Sequence, residues 1–229
     1  MYHKVSLVES EGLTISASNL EAQFQFFKEQ GYRSYHLSEL AALQKLPSKK
    51  SIVLTFDDGY VNQLELALPL LQKYHIKATF FIPLKYMGKE DSWNENTSPI
   101  MDAEVLRSLD PTLVELAYHS YAHRKYHEMT PEEVDEDTKM AFQAASSAQL
   151  PLNAFLAYPY GKFPRKNPEK EHFFEQLKAY GFQYALRIGN RLNNFPFKDP
   201  YEIQRIDVKG EWSLKKFRKK IRLGKRFLI

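Results

Sequence analysis

Apolar positions along the chain fall into short continuous runs separated by segments of helical period. Residues 51–56 (SIVLTF), 77–82 (KATFFI), 113–118 (LVELAY), 154–158 (AFLAY), 183–187 and 202–208 read as strands. Runs that are apolar throughout, rather than alternating, suit strands covered on both faces. Between them lie predicted helices: one from a Ser18/Glu21 capping box through Gln30, stopped by Gly31, and others from Ser38, over 62–74, from Thr130 to about Gln149, and over 169–180. The Thr130-Pro131-Glu132-Glu133 start combines an N-cap, a first-turn proline and a capping-box glutamate. A further short strand is expected near Tyr35. Strands that alternate with helices in this way predict an α/β fold built on a parallel sheet, with a distorted parallel (β/α) barrel as the leading architecture. Chemistry in such folds gathers where the strands end.

Composition adds limits. At 229 residues and 43% hydrophobic the chain is long enough for one sizeable core, and disorder is excluded. With no cysteine, disulfides and thiolate ligands are excluded, so a metal would have to be held by histidine and carboxylate. No stretch has the roughly 18 apolar residues of a membrane span, and MYHKVSLVESEG lacks the basic and apolar parts of a signal peptide, so the chain as given reads as soluble. MYHKV itself reads as a strand that starts abruptly, as in a trimmed form.

The net charge of +4 is uneven: residues 209–229 carry nine Lys or Arg against one acid, and the rest holds 23 basic against 27 acidic residues. Trp212, Leu214, Phe217, Ile221 and Phe227 interleave with those cations. The pattern predicts a basic amphipathic C-terminal helix or tail, packed on the domain by its apolar side. Its solvated basic face would suit an anionic membrane or polymer surface. Nothing resembling a nucleic-acid recognition motif accompanies the charge, and nucleic acid is not an expected partner.

Two clusters carry candidate chemistry. Strand 51–56 ends in Asp57-Asp58-Gly59, two like charges side by side that call for a nearby cation. Strand 113–118 ends in AYHSYAHRKYH, where His119 and His123 stand four apart. That spacing on a helical turn puts both imidazoles on one face, and His127 repeats it. Seven histidines scattered over this length would give about 0.2 such pairs by chance, and two are present. Two imidazoles and one carboxylate make an open shell for a catalytic metal, and the second carboxylate is free to serve as base. With no glutamate between the histidines, an HExxH protease is unsupported. The 84–102 segment is long and polar, with Trp93 near its tip, and is expected to be functional or disordered.

These residues resemble the polysaccharide deacetylases with a NodB homology domain, carbohydrate esterase family 4. The first family motif, TFDDG, is Thr55–Gly59; the second, H-S/T-x-x-H, is His119–His123; the third, usually R-x-P-Y-G, is Ala157-Tyr158-Pro159-Tyr160-Gly161. Tyr2-His3-Lys4-Val5, the Tyr-Pro-Tyr-Gly form of the third motif and Arg205-Ile206-Asp207-Val208 resemble the branch that deacetylates poly-N-acetylglucosamine in biofilm matrices. The resemblance implies a NodB-like catalytic domain over 1–208, with 209–229 packed on it. It implies a hydrolase that removes acetate from N-acetylglucosamine-type units of a glycan, using Zn²⁺ or alternatively Co²⁺ or Ni²⁺. Asp58, His119 and His123 would be metal ligands, Asp57 the general base, and the Tyr160 backbone N–H an oxyanion donor.

Two family features are missing. Ala157 stands where an arginine usually orients the base, and no histidine follows His172, which lies in a helical pattern. A circularly shifted arrangement would make His3 the general acid, the alternative being a packed histidine. Trp93, Tyr2, Tyr121 and Tyr158 are candidate sugar contacts, with ordinary packing as the other reading of Trp93. An amidohydrolase for another N-acyl or cyclic amide, and a silent carbohydrate-binding module, stay open. The family works at the cell envelope or outside the cell, in tension with the missing export signal.

Overall fold

The strand runs that are apolar throughout assemble into one curled parallel sheet. The computed structural model describes residues 1–224. In chain order the elements are β1 (Lys4–Ser6), β2 (Thr14–Ser16), α1 (Ala17–Glu29), β3 (Arg33–Ser34), α2 (Leu37–Ala41), β4 (Ser51–Ile52), β5 (Leu54–Asp57), α3 (Leu68–Tyr74), β6 (Ala78–Ile82), α4 (Ala103–Ser108), β7 (Val114–Tyr118), α5 (Pro131–Ser147), β8 (Leu152–Ala157), α6 (Glu169–Ala179), β9 (Tyr184–Ile188), β10 (Ile203–Arg205) and α7 (Leu214–Leu223). Six strands pair in the order β10-β9-β8-β7-β6-β5, each junction parallel. Every residue of β5, β6 and β7 is buried, so these strands are mainly apolar, and their polar residues are bonded inside the protein, as Thr79 is to Glu115 (2.6 Å).

The seam between the outer strands is bridged by the first two residues. Tyr2 donates its N–H to the Thr55 carbonyl (2.8 Å) and accepts from Asp57 N–H (3.0 Å), while Val208 N–H donates to the Met1 carbonyl (3.3 Å). The curled sheet is thereby brought to a half-open barrel of the expected type. Most of the core lies between the sheet and its helices, from Leu20, Phe24 and Phe80 to Leu116 and Leu177. A smaller cluster of Phe81, Ala117, Phe155, Ala157, Leu186 and Ile203 occupies the other side, beneath the strand ends.

Several expected boundaries move. Helix α1 is capped by Ser16, whose Oγ accepts from Asn19 N–H, and Ser18 is already helical. Expected helix 62–74 opens with a π-turn over Gln63–Ala67 before α3. Pro69 lacks the N–H that would close an α-turn onto Glu65, and Leu68 N–H instead reaches back to Gln63. The Thr130/Glu133 capping box forms as read. Segment 84–102 is ordered: it bridges back on itself at Glu90 and Pro99 and pairs with Tyr60 through Ile100.

In α7, Phe217 is fully buried against Phe26 and Phe27, with ring centroids at 6.1 and 5.5 Å. Lys215, Lys216, Arg218, Lys219 and Arg222 are exposed. Phe227 lies outside the described residues. No described helix is long and apolar enough to cross a membrane.

Candidate metal centre and active site

Two carboxylates leave β5 together because the backbone turns sharply at its end. Asp58 and Gly59 both take left-handed conformations (φ 74° and 65°). Asp57 and Asp58 are 2% and 3% exposed. From the end of β7, His119 and His123 reach the same point. The HxxxH spacing is not read out by a helical turn, as the sequence suggested, but by a loop in which Ser120 and His123 have positive φ (64° and 55°). The two imidazoles converge all the same, with ring centroids 4.9 Å apart.

His119 Nε2 lies 3.4 Å, and His123 Nε2 3.2 Å, from Asp58 Oδ1. One ligand atom from each residue falls within 4.8 Å of the other two. His119 Nδ1 is 2.8 Å from the Ala157 carbonyl, which can only accept. The proton therefore sits on Nδ1, and the Nε2 lone pair points into the site. Asp58 Oδ1 is buried and accepts no hydrogen bond. An ionised oxygen left bare in a dry interior is costly unless a cation meets it. A tetrahedral zinc with ligands at 2.0–2.1 Å has ligand-to-ligand edges of about 3.3 Å, close to both separations from Asp58. Burial opposes charge on His119, yet Asp57 and Asp58 outweigh it and hold that imidazole above its ordinary value. Both the donor set and the field fit a divalent cation.

Asp57 is held differently. Arg205, at the end of β10, donates Nη1 to Asp57 Oδ1 (2.6 Å) and Nη2 to Oδ2 (2.7 Å), with a further contact to Thr55 Oγ1 at 3.3 Å. Arg205 is itself 5% exposed. Burial pushes the Asp57 carboxyl up, but this guanidinium and the neighbouring imidazoles overcome it and hold the acid below its usual range. Arg205 thus pairs with Asp57 from the opposite edge of the sheet, a contact that the methyl of Ala157 cannot make. In the sequence Arg205 stands out only within Arg205-Ile206-Asp207-Val208, which assigns it no role; the available signal is an arginine ending β10, opposite an acid ending β5.

His3 reaches the pair, its Nε2 3.8 Å from Asp57 Oδ2. Burial pulls its imidazole below the ordinary value, against the two carboxylates. Gln63, in the π-turn, donates to both the Asp57 (2.6 Å) and His3 (2.9 Å) carbonyls and so ties the two segments together. Tyr160 has φ 57° and is 42% exposed, with its ring 4.8 Å from that of His123. Trp93 stacks on the same imidazole: its centroid is 3.8 Å from that of His123 at 27°. Its segment is anchored by buried Asp91, which accepts from Tyr60 Oη and Asn94 Nδ2 (both 2.8 Å).

Other sequence candidates lie elsewhere. His127 is exposed beside Glu128, and His172 is exposed on α6. Tyr2 and Tyr158 are core residues, not sugar contacts, with hydroxyls spent on Gln23 Oε1 (2.8 Å) and the Tyr201 carbonyl (2.9 Å). Tyr121 is half-buried on the histidine loop.

Known proteins share the fold and the family of this chain. YxkH of Bacillus subtilis (strain 168), which carries a polysaccharide deacetylase name, is 26% identical over 192 residues, covering 81% of this chain and 62% of that protein. The chain thus spans about three-fifths of that relative's length. The poly-β-1,6-N-acetyl-D-glucosamine N-deacetylase of Staphylococcus epidermidis is 25% identical over 216 residues, 89% of this chain and 71% of the relative. The solved structure of the Streptococcus pyogenes deacetylase PplD superposes with a TM-score of 0.77 at 16% identity, over 96% of this chain and 95% of that one, and so shares the fold. The profile of the family described as polysaccharide deacetylase matches residues 44–185, which include all three ordered motifs, and the chain belongs to that family.

Proposed function

We propose that this chain is a metal-dependent N-deacetylase that hydrolyses the acetamide of N-acetylglucosamine-type units in a glycan, releasing acetate and leaving a free amine. The observation that carries the reading is the division of labour between adjacent carboxylates. Asp58 Oδ1 is left bare beside two imidazole nitrogens, and Asp57, the preceding residue, is clamped in an ionised state by Arg205. Asp58, His119 and His123 would hold the cation, for which Zn²⁺ suits the donor set and Co²⁺ or Ni²⁺ would also serve. Once bound, a divalent cation supplies Lewis acidity and makes water a usable nucleophile near neutral pH.

The chain's own residues do the rest. Asp57 is the general base that takes the proton of the attacking water, and Arg205 orients its oxygens. The Tyr160 backbone N–H is the donor proposed for the developing oxyanion, and His3 is the acid proposed to protonate the departing amine. Tyr121 and Trp93 are the aromatic side chains left to meet the sugar. A poly-β-1,6-linked substrate is supported by the Staphylococcus relative's name. Work on such a polymer would lie at the cell envelope or outside it. Residues 1–208 would form the catalytic unit. The exposed cations of α7 would hold the packed C-terminal segment against an anionic membrane or polymer.

The test is acetate release from N-acetylglucosamine oligomers by metal-stripped protein, before and after resupply of Zn²⁺, Co²⁺ or Ni²⁺. Release only after resupply supports the assignment. Release from non-sugar N-acyl amides but not from the oligomers would move the substrate class. Bound metal with no turnover on any amide would leave a carbohydrate-binding domain.

A further inference from the structure

We infer that Asp137, a carboxylate on α5 outside the three motifs, positions the metal-ligand loop and thereby sets the affinity of the cation site; this rests on the metal-site reading above. The loop from His119 to His123 crosses from one ligand to the other in a strained conformation, with positive φ at Ser120 and at His123. Such a path persists only if the surrounding structure dictates it. Its hydrogen bonds show what does so. His119 N–H donates to the Ile82 carbonyl (3.0 Å), and the Ser120 and Tyr121 carbonyls accept from Leu84 and Lys85 N–H (3.3 and 3.0 Å). His123 N–H donates to Ser120 Oγ (2.8 Å).

Two of the three N–H groups between the ligands point the other way, toward α5. Tyr121 N–H donates to Asp137 Oδ2 (2.9 Å) and Ala122 N–H to Asp137 Oδ1 (3.0 Å). Successive backbone N–H groups turned to one side by a left-handed residue form a concave cradle for an anion. Here a side chain fills that cradle. Asp137 is 6% exposed, in the interior of a 17-residue helix fixed by its own capping box. Among the described residues, Asp137 is the side chain that another element contributes to the hydrogen bonds of this loop; the remaining partners are backbone groups or the loop's own serine.

The consequence falls on His123. Its ring is stacked by Trp93 and met by the tilted ring of Tyr160, but its Nδ1 is buried without a hydrogen-bond partner, so no bond through that nitrogen orients it as Ala157 orients His119. The backbone of the loop is what delivers His123 Nε2 to within 3.2 Å of Asp58 Oδ1. Both oxygens of Asp137 are needed. An amide in the same place would accept one N–H and turn its own N–H₂ toward the other, donor against donor.

The experiment compares Zn²⁺ affinity, by competition with a chromophoric chelator, in the wild-type chain, Asp137→Asn and Thr130→Ala. The last removes the cap of the same helix without touching the loop. Outer-sphere partners of metal ligands change affinity by about 10–100-fold, so Asp137→Asn is expected to bind Zn²⁺ that much more weakly and to show an altered visible spectrum when loaded with Co²⁺. Thr130→Ala is expected to melt earlier with unchanged affinity and spectrum. Equal Zn²⁺ affinity and identical Co²⁺ spectra in wild type and Asp137→Asn would overturn the inference, as would a loss of affinity in Thr130→Ala as large as that in Asp137→Asn. Should Asp137→Asn fail to fold, Asp137→Glu keeps the carboxylate and tests its reach; wild-type affinity and spectrum in that variant, with its longer side chain, would equally count against a positional role. Absence of Zn²⁺, Co²⁺ and Ni²⁺ binding in the wild type would instead overturn the metal-site reading itself.

Discussion

Replacing Arg205 by alanine tests the arrangement at its most exacting point. The side chain makes two short bonds to Asp57, at 2.6 and 2.7 Å, and neither partner is more than 5% exposed. Solvent therefore does little to screen the pair. Truncating one member of a buried ion pair leaves the other charged or forces it to protonate, at a cost of about 3–5 kcal/mol. For a chain of this size each kcal/mol lowers Tm by about 2–4 °C, so a fall of about 6–20 °C is expected in a thermal scan. Catalysis should suffer separately. Asp57 loses the group that keeps it ionised and aimed, and a general base contributes about 10²–10⁴-fold to rate. Arg205→Lys keeps the charge but not the two-pronged geometry, and should fall between alanine and wild type in acetate release. None of Asp58, His119 and His123 is bonded to Arg205, so Zn²⁺ affinity should stay near wild type in both variants. Wild-type kcat in a folded Arg205→Ala protein would refute the assignment of Asp57 as an arginine-oriented base.

Other expectations follow from single features of the site and core. Asp57→Asn should keep Zn²⁺ but lose about 10²–10⁴-fold in kcat, whereas Asp58→Ala and His119→Ala should lose Zn²⁺ as well, and metal content measured beside acetate release separates them. Gly161→Ala should destabilise by at least about 1–3 kcal/mol in a denaturant titration, since φ is +64° and the added Cβ would lie 2.8 Å from the Ile188 backbone nitrogen. Phe217→Ala should cost about 3–5 kcal/mol because that ring is wholly buried. Reversing Lys215, Lys219 and Arg222 to glutamate should instead leave Tm nearly unchanged and weaken sedimentation with anionic liposomes. Unchanged sedimentation would leave α7 with a packing role alone.

Much of this was legible in the chain because it depends on neighbours in sequence. Unbroken apolar runs identify strands buried on both faces; Asp57-Asp58 and His119/His123 directly follow two of them, and the Thr130 cap satisfies a helix end with residues three apart. Local chemistry of that kind survives any choice of fold. The positions of Ser16, the π-turn at Gln63 and the loop form of HxxxH were not legible, because each is chosen by competition among hydrogen bonds whose partners lie on other segments. Arg205 and Asp57 are 148 residues apart, and His3 joins them from the first residues of the chain. Asp137, in a run of acids that reads as a solvated helix face, is buried by the loop it grips. By itself the sequence determined which atoms were available for a cation and a base. Only the tertiary structure decided which distant charge pairs with Asp57 and which carboxylate meets the N–H groups of the histidine loop, since a buried charge takes its partner from whatever closure of the sheet brings within reach.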